Sequence, residues 1–282
     1  MPRILLLFIC AFLACVDQSV VDYTVTLPAP RAVARDRDFD IDPYWHPGGE
    51  RIVFTASTST QTRIHEIKAD GTGLREILNT SHSLSTPCYS PDGEVLFFSS
   101  DQEGSFDLWR YHLAGDELLQ ITFSPEDETY PRPSPDGRVV ACIRSGDIAL
   151  LSPYGIPLGG WCDPSIRVES LCWDTGGKAI YFSGQGQSGS WSLYRCDLET
   201  KNVVPLGIEG RFPTCGRPRD AAGDRLAYEA DGRLFVYSYA DGEERPVLTG
   251  GARPAWAPDA TRLAFERDGD IYIAVIQVPV DD

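Results

Sequence analysis

An all-β six-bladed propeller, with four antiparallel strands to a blade, is the fold predicted by this sequence of 282 residues. Three observations carry the prediction. A unit built on a tight Pro/Asp/Gly turn recurs six times, and the residues ending its apolar strand, Phe54, Phe98, Cys142, Phe182, Tyr228 and Phe265, follow at intervals of 44, 44, 40, 46 and 37. Periods in the forties with strand-length segments mark four-stranded blades. Between residues 40 and 280 no stretch convincingly places apolar residues three and four apart, as a helical repeat of similar length would require. With 42% hydrophobic side chains the chain can bury a sizeable core, and the repeat favours one β domain over residues 41–280.

The first strand of each unit carries Pro-x-aromatic, as in Pro43-Tyr44-Trp45 and Pro254-Ala255-Trp256. A Pro/Asp/Gly turn follows, because such turns need the fixed φ of proline and the positive φ that glycine supplies. The clearest copies are PYWHPGGERIVF from Pro43, PCYSPDGEVLFF from Pro87, PRPSPDGRVVAC from Pro131 and PAWAPDATRLAF from Pro254, while the units from Leu171 and Pro213 are degraded. The second strand is the apolar run. In the third, the second residue is aliphatic and the next usually aromatic, giving Trp109, Tyr194, Phe235 and Tyr272. A short edge strand completes the unit, as in LREIL from Leu74, LLQIT from Leu118 and RPVLT from Arg245.

The sixth unit runs out after three strands. An N-terminal strand is therefore expected to close the last blade, and VVDYTVTL, Val20 to Leu27, alternates in strand fashion. Closure of this kind removes the exposed edges that an open sheet would present.

Together the S-P-D-G turn after P-x-aromatic, the later D-[ILV]-aromatic strand and its D-G turn resemble the TolB-type β-propeller repeat, also described as WD40-like or PD40. The resemblance covers the chain from about Pro43 to Val278. It implies the blade more than the activity, since propellers of this type occur in Tol-system proteins, in polysaccharide-active enzymes and as the non-catalytic domain of some peptidases. Tol-system members carry an α/β domain ahead of six blades. Here the segment between Cys15 and Asp42 is what precedes the first unit, so a propeller alone is expected.

Residues 1–14 read as an export signal: a basic start at Arg3, then an apolar run from Ile4 to Ala14, too short to span a bilayer. Phe12-Leu13-Ala14-Cys15 resembles a bacterial lipobox, which makes Cys15 the expected lipid attachment point and residues 15–40 a short tether. The expected location is the periplasm or the outer membrane, with membrane contact only through that lipid. A formal charge of −16 argues against nucleic acid, which needs a basic face to release phosphate counterions. Cys88, Cys142, Cys172, Cys196 and Cys215 fall on strand positions and read as buried thiols.

No catalytic residue is indicated. Acids of the repeated turns, Asp92, Asp136 and Asp259, are what such turns require. The G-x-G-x-x-G match at Gly184 to Gly189 precedes a strand instead of the helix a dinucleotide site needs. Asp36, Asp38, Asp40 and Asp42 alternate, so an extended chain sets four carboxylates on one side, where they could ligate Ca²⁺; a solvated acidic segment is the plainer reading. No other cofactor is implied.

Loops ahead of the inner strands are expected to converge on one channel mouth, since propeller ligands are met by loops held on a rigid ring. They supply Asp40, Asp42, His82, Glu128, Tyr130, Glu169, Arg211, Phe212 and Arg253, acidic over units one, three and four and basic over five and six. An unspecialised solvated rim competes with a dipolar docking surface anchored by Tyr130 and Phe212. The function so indicated is a monomeric, non-enzymatic module that binds an envelope protein or peptide. The alternative is a glycan-binding or polysaccharide-active propeller.

Overall fold

The computed structural model describes residues 31–34, 39–161, 165–217, 223–239 and 242–276. Their strands form six sheets of four antiparallel strands each. The first blade runs outward as Phe39–Trp45, Arg51–Ser57, Thr62–Lys68 and Arg75–Leu78. Five further inner strands, Leu84–Tyr89, Glu128–Pro133, Arg167–Trp173, Arg211–Gly216 and Ala252–Trp256, follow in turn around the axis. Each packs on the next, and the last returns to the first, closing the ring. No helix occurs among the described residues.

Two columns of the repeat build the core. Phe54, Phe98, Cys142, Phe182, Tyr228 and Phe265 are all buried, at 3% exposure or less. Directly across the sheet from them lie His65, Trp109, Ala149, Tyr194, Phe235 and Tyr272. Opposed aromatics stack, as Tyr228 on Phe235 at 5.7 Å and Phe182 on Tyr194 at 5.2 Å. Such cross-strand pairs are the unit of sheet stability, each contributing roughly 0.2–1 kcal/mol. In the third blade the pair shrinks to Cys142 and Ala149 together.

Closure differs in its residues from the sequence expectation. The outer strand of the sixth blade is Arg31–Ala34, antiparallel to Asp270–Val275, with Arg31 opposite Ile273 and Ala34 opposite Ile271. Val33 and Ala34 are buried in a cluster with Trp45, Ile52 and Ile271. Val20 to Leu27 lies outside the described residues, as do the signal segment and Cys15.

Every inner strand is bulged against its partner, with register shifts at Ile41/Tyr44, Ser85/Cys88, Thr129/Arg132, Val168/Ser170, Arg211/Thr214 and Ala252/Ala255. Within five of these bulges a non-glycine residue is left-handed: Asp42 (φ 54°), Thr86 (52°), Tyr130 (58°), Phe212 (52°) and Arg253 (46°). Proline follows each of the five, whereas the fourth blade carries Leu171 there and Ser170 is not left-handed. Proline has no N–H for a ladder, so the bulge is where a sheet accommodates it. It also disfavours the right-handed helical region for the residue before it. The left-handed state costs about 1–2 kcal/mol per residue, and its effect is to re-aim one side chain per blade.

Candidate functional site

An axial cavity of about 430 Å³ runs along the inner strands. In five of the six blades its wall includes the middle residue of the Pro-x-aromatic triplet or its counterpart: Tyr44, Arg132, Cys172, Thr214 and Ala255 all line it, while Cys88 of the second blade does not. Re-aimed residues of the bulges, Asp42, Tyr130 and Arg253, line it at one end, and the turn residues Pro47, Pro91, Pro135, Thr175 and Pro258 at the other. The cavity thus reaches the end of the ring that carries the repeated turns.

At the waist the Arg132 guanidinium sits 4.0 Å from the Tyr130 ring centre and 5.3 Å from that of Tyr44, bridging blade three to blade one. Arg132 is 8% exposed, and its Nη1 donates to the Pro131 carbonyl at 2.7 Å. Burial raises the Tyr44 and Tyr130 hydroxyls above the usual phenol range. It likewise raises the Cys172 and Cys215 thiols, and pushes Cys88 up to about 11. All of these groups are neutral at pH 7, so none offers Arg132 a counter-charge.

The nine residues expected at the loop mouth occupy different places. His82 alone is in a loop; the other eight belong to inner strands. Asp40 and Glu128 are fully buried, Glu128 accepting from Arg144 Nε at 2.6 Å, so neither contributes to a rim. Arg211 Nε reaches Glu169 of the preceding blade at 2.7 Å. Arg253 pairs with Asp42 across the ring closure at 3.1 Å and with Glu266 at 2.6 Å. Phe212, 7% exposed, lies under both arginines, its ring centre 4.9 Å from Arg211 and 4.8 Å from Arg253. Acidic and basic sectors of the expected dipole therefore neutralise one another across blade boundaries. The structure brings together Asp42, Tyr130, Phe212 and Arg253, of which Asp42, Tyr130 and Arg253 line the cavity.

The expected Ca²⁺ set is divided. Asp36 and Asp38 lie outside the described residues, Asp40 is buried, and Asp42 is engaged by Arg253 while burial raises its carboxyl above the ordinary range. Among the described residues no three His, Cys, Asp or Glu side chains are grouped to hold a metal ion. Cys172 and Cys215, expected in the core, are half-buried thiols on the cavity wall. Sequence reasoning missed Arg132, Tyr44 and Thr214. Their signal was present as the x of Pro-x-aromatic, the position that varies while its neighbours repeat.

Geometry and repeat together define the class: a six-bladed propeller with an axial cavity. Residues 18–151, just under half of the chain, match the family model described as the TolB beta propeller domain. Those residues are similar to the TolB-type propeller, and blades of the same construction continue beyond them to Val275. Over 174 residues it is 26% identical to the uncharacterized protein Atu1656 of Agrobacterium fabrum, covering 59% of this chain and 57% of that one. The chain thus spans somewhat over half the length of that relative. Among solved structures it resembles TolB from Acinetobacter baumannii, with a TM-score of 0.65 at 18% identity, over 80% of this chain and 63% of that one. It also resembles an oligogalacturonate lyase in complex with manganese, with a TM-score of 0.60 at 11% identity, over 87% of this chain and 92% of the other. Both structural likenesses are likenesses of fold.

Proposed function

We propose that this protein is a non-enzymatic, extracytoplasmic binding module of the cell envelope, which takes a segment of a partner protein into the axial cavity from the turn end. One observation carries the reading: the variable column of an otherwise repeated architecture faces a single cavity, walled by proline, aromatic and thiol groups around one buried cation. Ligand-binding cavities in general combine apolar walls with few fixed polar groups. TolB-type repeats and the signal-like residues 1–14 support export, with Cys15 as the proposed lipid attachment point and the monomer as the working unit.

The test is a cross-linking pull-down from envelope extracts with wild type and Thr214→Trp, which fills the cavity from its wall. Partners captured by wild type and lost from a folded Thr214→Trp protein are the expected result; identical partner sets refute the cavity as the binding site. A second reading, binding or cleavage of acidic oligosaccharides, draws on the lyase-like fold and on Arg132 beside Tyr44 and Tyr130. Release of unsaturated products from oligogalacturonate by the wild-type protein would promote it.

A further inference from the structure

We infer that the axial cavity seats the free C-terminal carboxylate of its partner peptide on the Arg132 guanidinium. This rests on the reading of the chain as a peptide-binding module and adds the chemistry of the peptide end.

Arg132 is a cation that the fold leaves unmatched. Among the described residues no carboxylate lies within ion-pair distance of it, whereas Arg144, Arg211, Arg217 and Arg253 each have one. Asp42, the carboxylate whose charge acts on Arg132, is held by Arg253. Taking a guanidinium out of water without a counter-ion is costly, and an arriving anion recovers that cost. The Tyr130 ring at 4.0 Å and the Tyr44 ring at 5.3 Å hold the planar group in a fixed place. A guanidinium so fixed presents paired donors that match the two oxygens of a carboxylate.

Shape selects a chain end over a side chain. The cavity lies on the axis, with Asp42, Tyr130 and Arg253 lining it near Arg132 and the turn prolines lining its other end. A side-chain carboxylate would have to bring backbone on both sides of itself into that space, whereas a terminus brings one strand. Walls also discriminate against a uronate: Pro47, Pro91, Pro135, Trp173, Trp256 and Pro258 offer apolar contact along most of the path. Sugar hydroxyls set against those prolines would lose water there without gaining partners, although Ser90, Asp174, Thr175 and Arg217 also line the cavity, while apolar residues preceding a terminal carboxylate fit the apolar stretches.

The experiment uses the whole protein and two probes measured by titration calorimetry: a mixture of randomised pentapeptides with free C-termini, and the same mixture amidated. The free acids are expected to bind about 10–100-fold more tightly than the amides, the ratio for a hydrogen-bonded charged pair. That preference is expected to vanish in Arg132→Gln and to persist, reduced, in Arg132→Lys. Acid and amide mixtures bound equally by wild type would overturn the inference, and this comparison needs no variant to fold. If both bind equally and both are lost in Thr214→Trp, the carboxylate inference fails while the binding module stands. No binding of either mixture overturns the inference, and Arg132-dependent binding of oligogalacturonate in their place overturns the module as well.

Discussion

Ser90 Oγ donates to Asp92 Oδ1 at 2.5 Å, and the same oxygen accepts the Glu94 N–H at 3.0 Å. Ser134 and Asp136 repeat the arrangement one blade on. These bonds, the serine hydroxyl first, hold both carboxyls below the usual aspartate range. A carboxyl depressed in the folded state stabilises above its unfolded pKa, and the contribution is lost as pH falls through the folded value. Asp92→Ala should therefore lower stability by about 1–2 kcal/mol at pH 7, measured by urea denaturation. The gap between variant and wild type should close as pH drops below the ordinary aspartate range. In the first blade His46 stands where serine does in the second and third, and its Nδ1 accepts the Gly48 N–H at 3.0 Å, a different bond from those the hydroxyl makes. A harsher single-residue effect is expected at Gly155, left-handed at φ 81°, where an added Cβ would lie 1.6 Å from the Ile121 carbonyl oxygen. Gly155→Ala should cost about 3 kcal/mol or more, read as a fall in melting temperature.

Among elements, the closing strand shows what could be read ahead and what could not. A missing outer strand was legible from the truncated sixth unit. Which residues supply it was not, because VVDYTVTL alternates better than Arg31-Ala32-Val33-Ala34. Spacing was the better guide. Elsewhere an outer strand ends between two and eight positions before the next inner strand begins, as at Leu78 and Leu84, Gln120 and Glu128, or Glu209 and Arg211. Ala34 precedes Phe39 by five, and Leu27 by twelve. Deleting residues 31–34 should expose the edge of Asp270–Val275, lowering the melting temperature sharply and causing aggregation; a soluble deletion protein with unchanged melting would contradict this closure. The ion pairs between blades set a second expectation. Arg211→Glu with Arg253→Glu removes the partners of Glu169, Asp42 and Glu266. The double variant should lose about 1–3 kcal/mol, allowing for the partial exposure of both arginines, measured by urea denaturation.

For the whole molecule, the fold could be read because its rules are local and repeated. Turn chemistry, a buried aromatic column and a fixed period each stand in the sequence several times over. The cavity could not be read in the same way, since its lining depends on how a bulge rotates the residues that follow. Asp42, Tyr130 and Arg253 were recognisable as special by position, yet their left-handed backbone sets them on the cavity lining, where Asp42 and Arg253 pair with each other. Arg132 was invisible for a different reason. Its burial follows only when six inner strands meet, so no window of one blade contains the Tyr44 ring that stacks on it.

The bulged proline triplet has one more consequence. It separates the positions that hold the ring together from those that meet the axis, so the two sets can change independently. Tyr44, Arg132, Cys172, Thr214 and Ala255 form one small alphabet, one letter from each of five blades. Rewriting a letter alters what the axis recognises while the Phe54-to-Phe265 column goes on specifying the blades. A propeller of this construction is a lock whose pins can be recut without rebuilding its barrel.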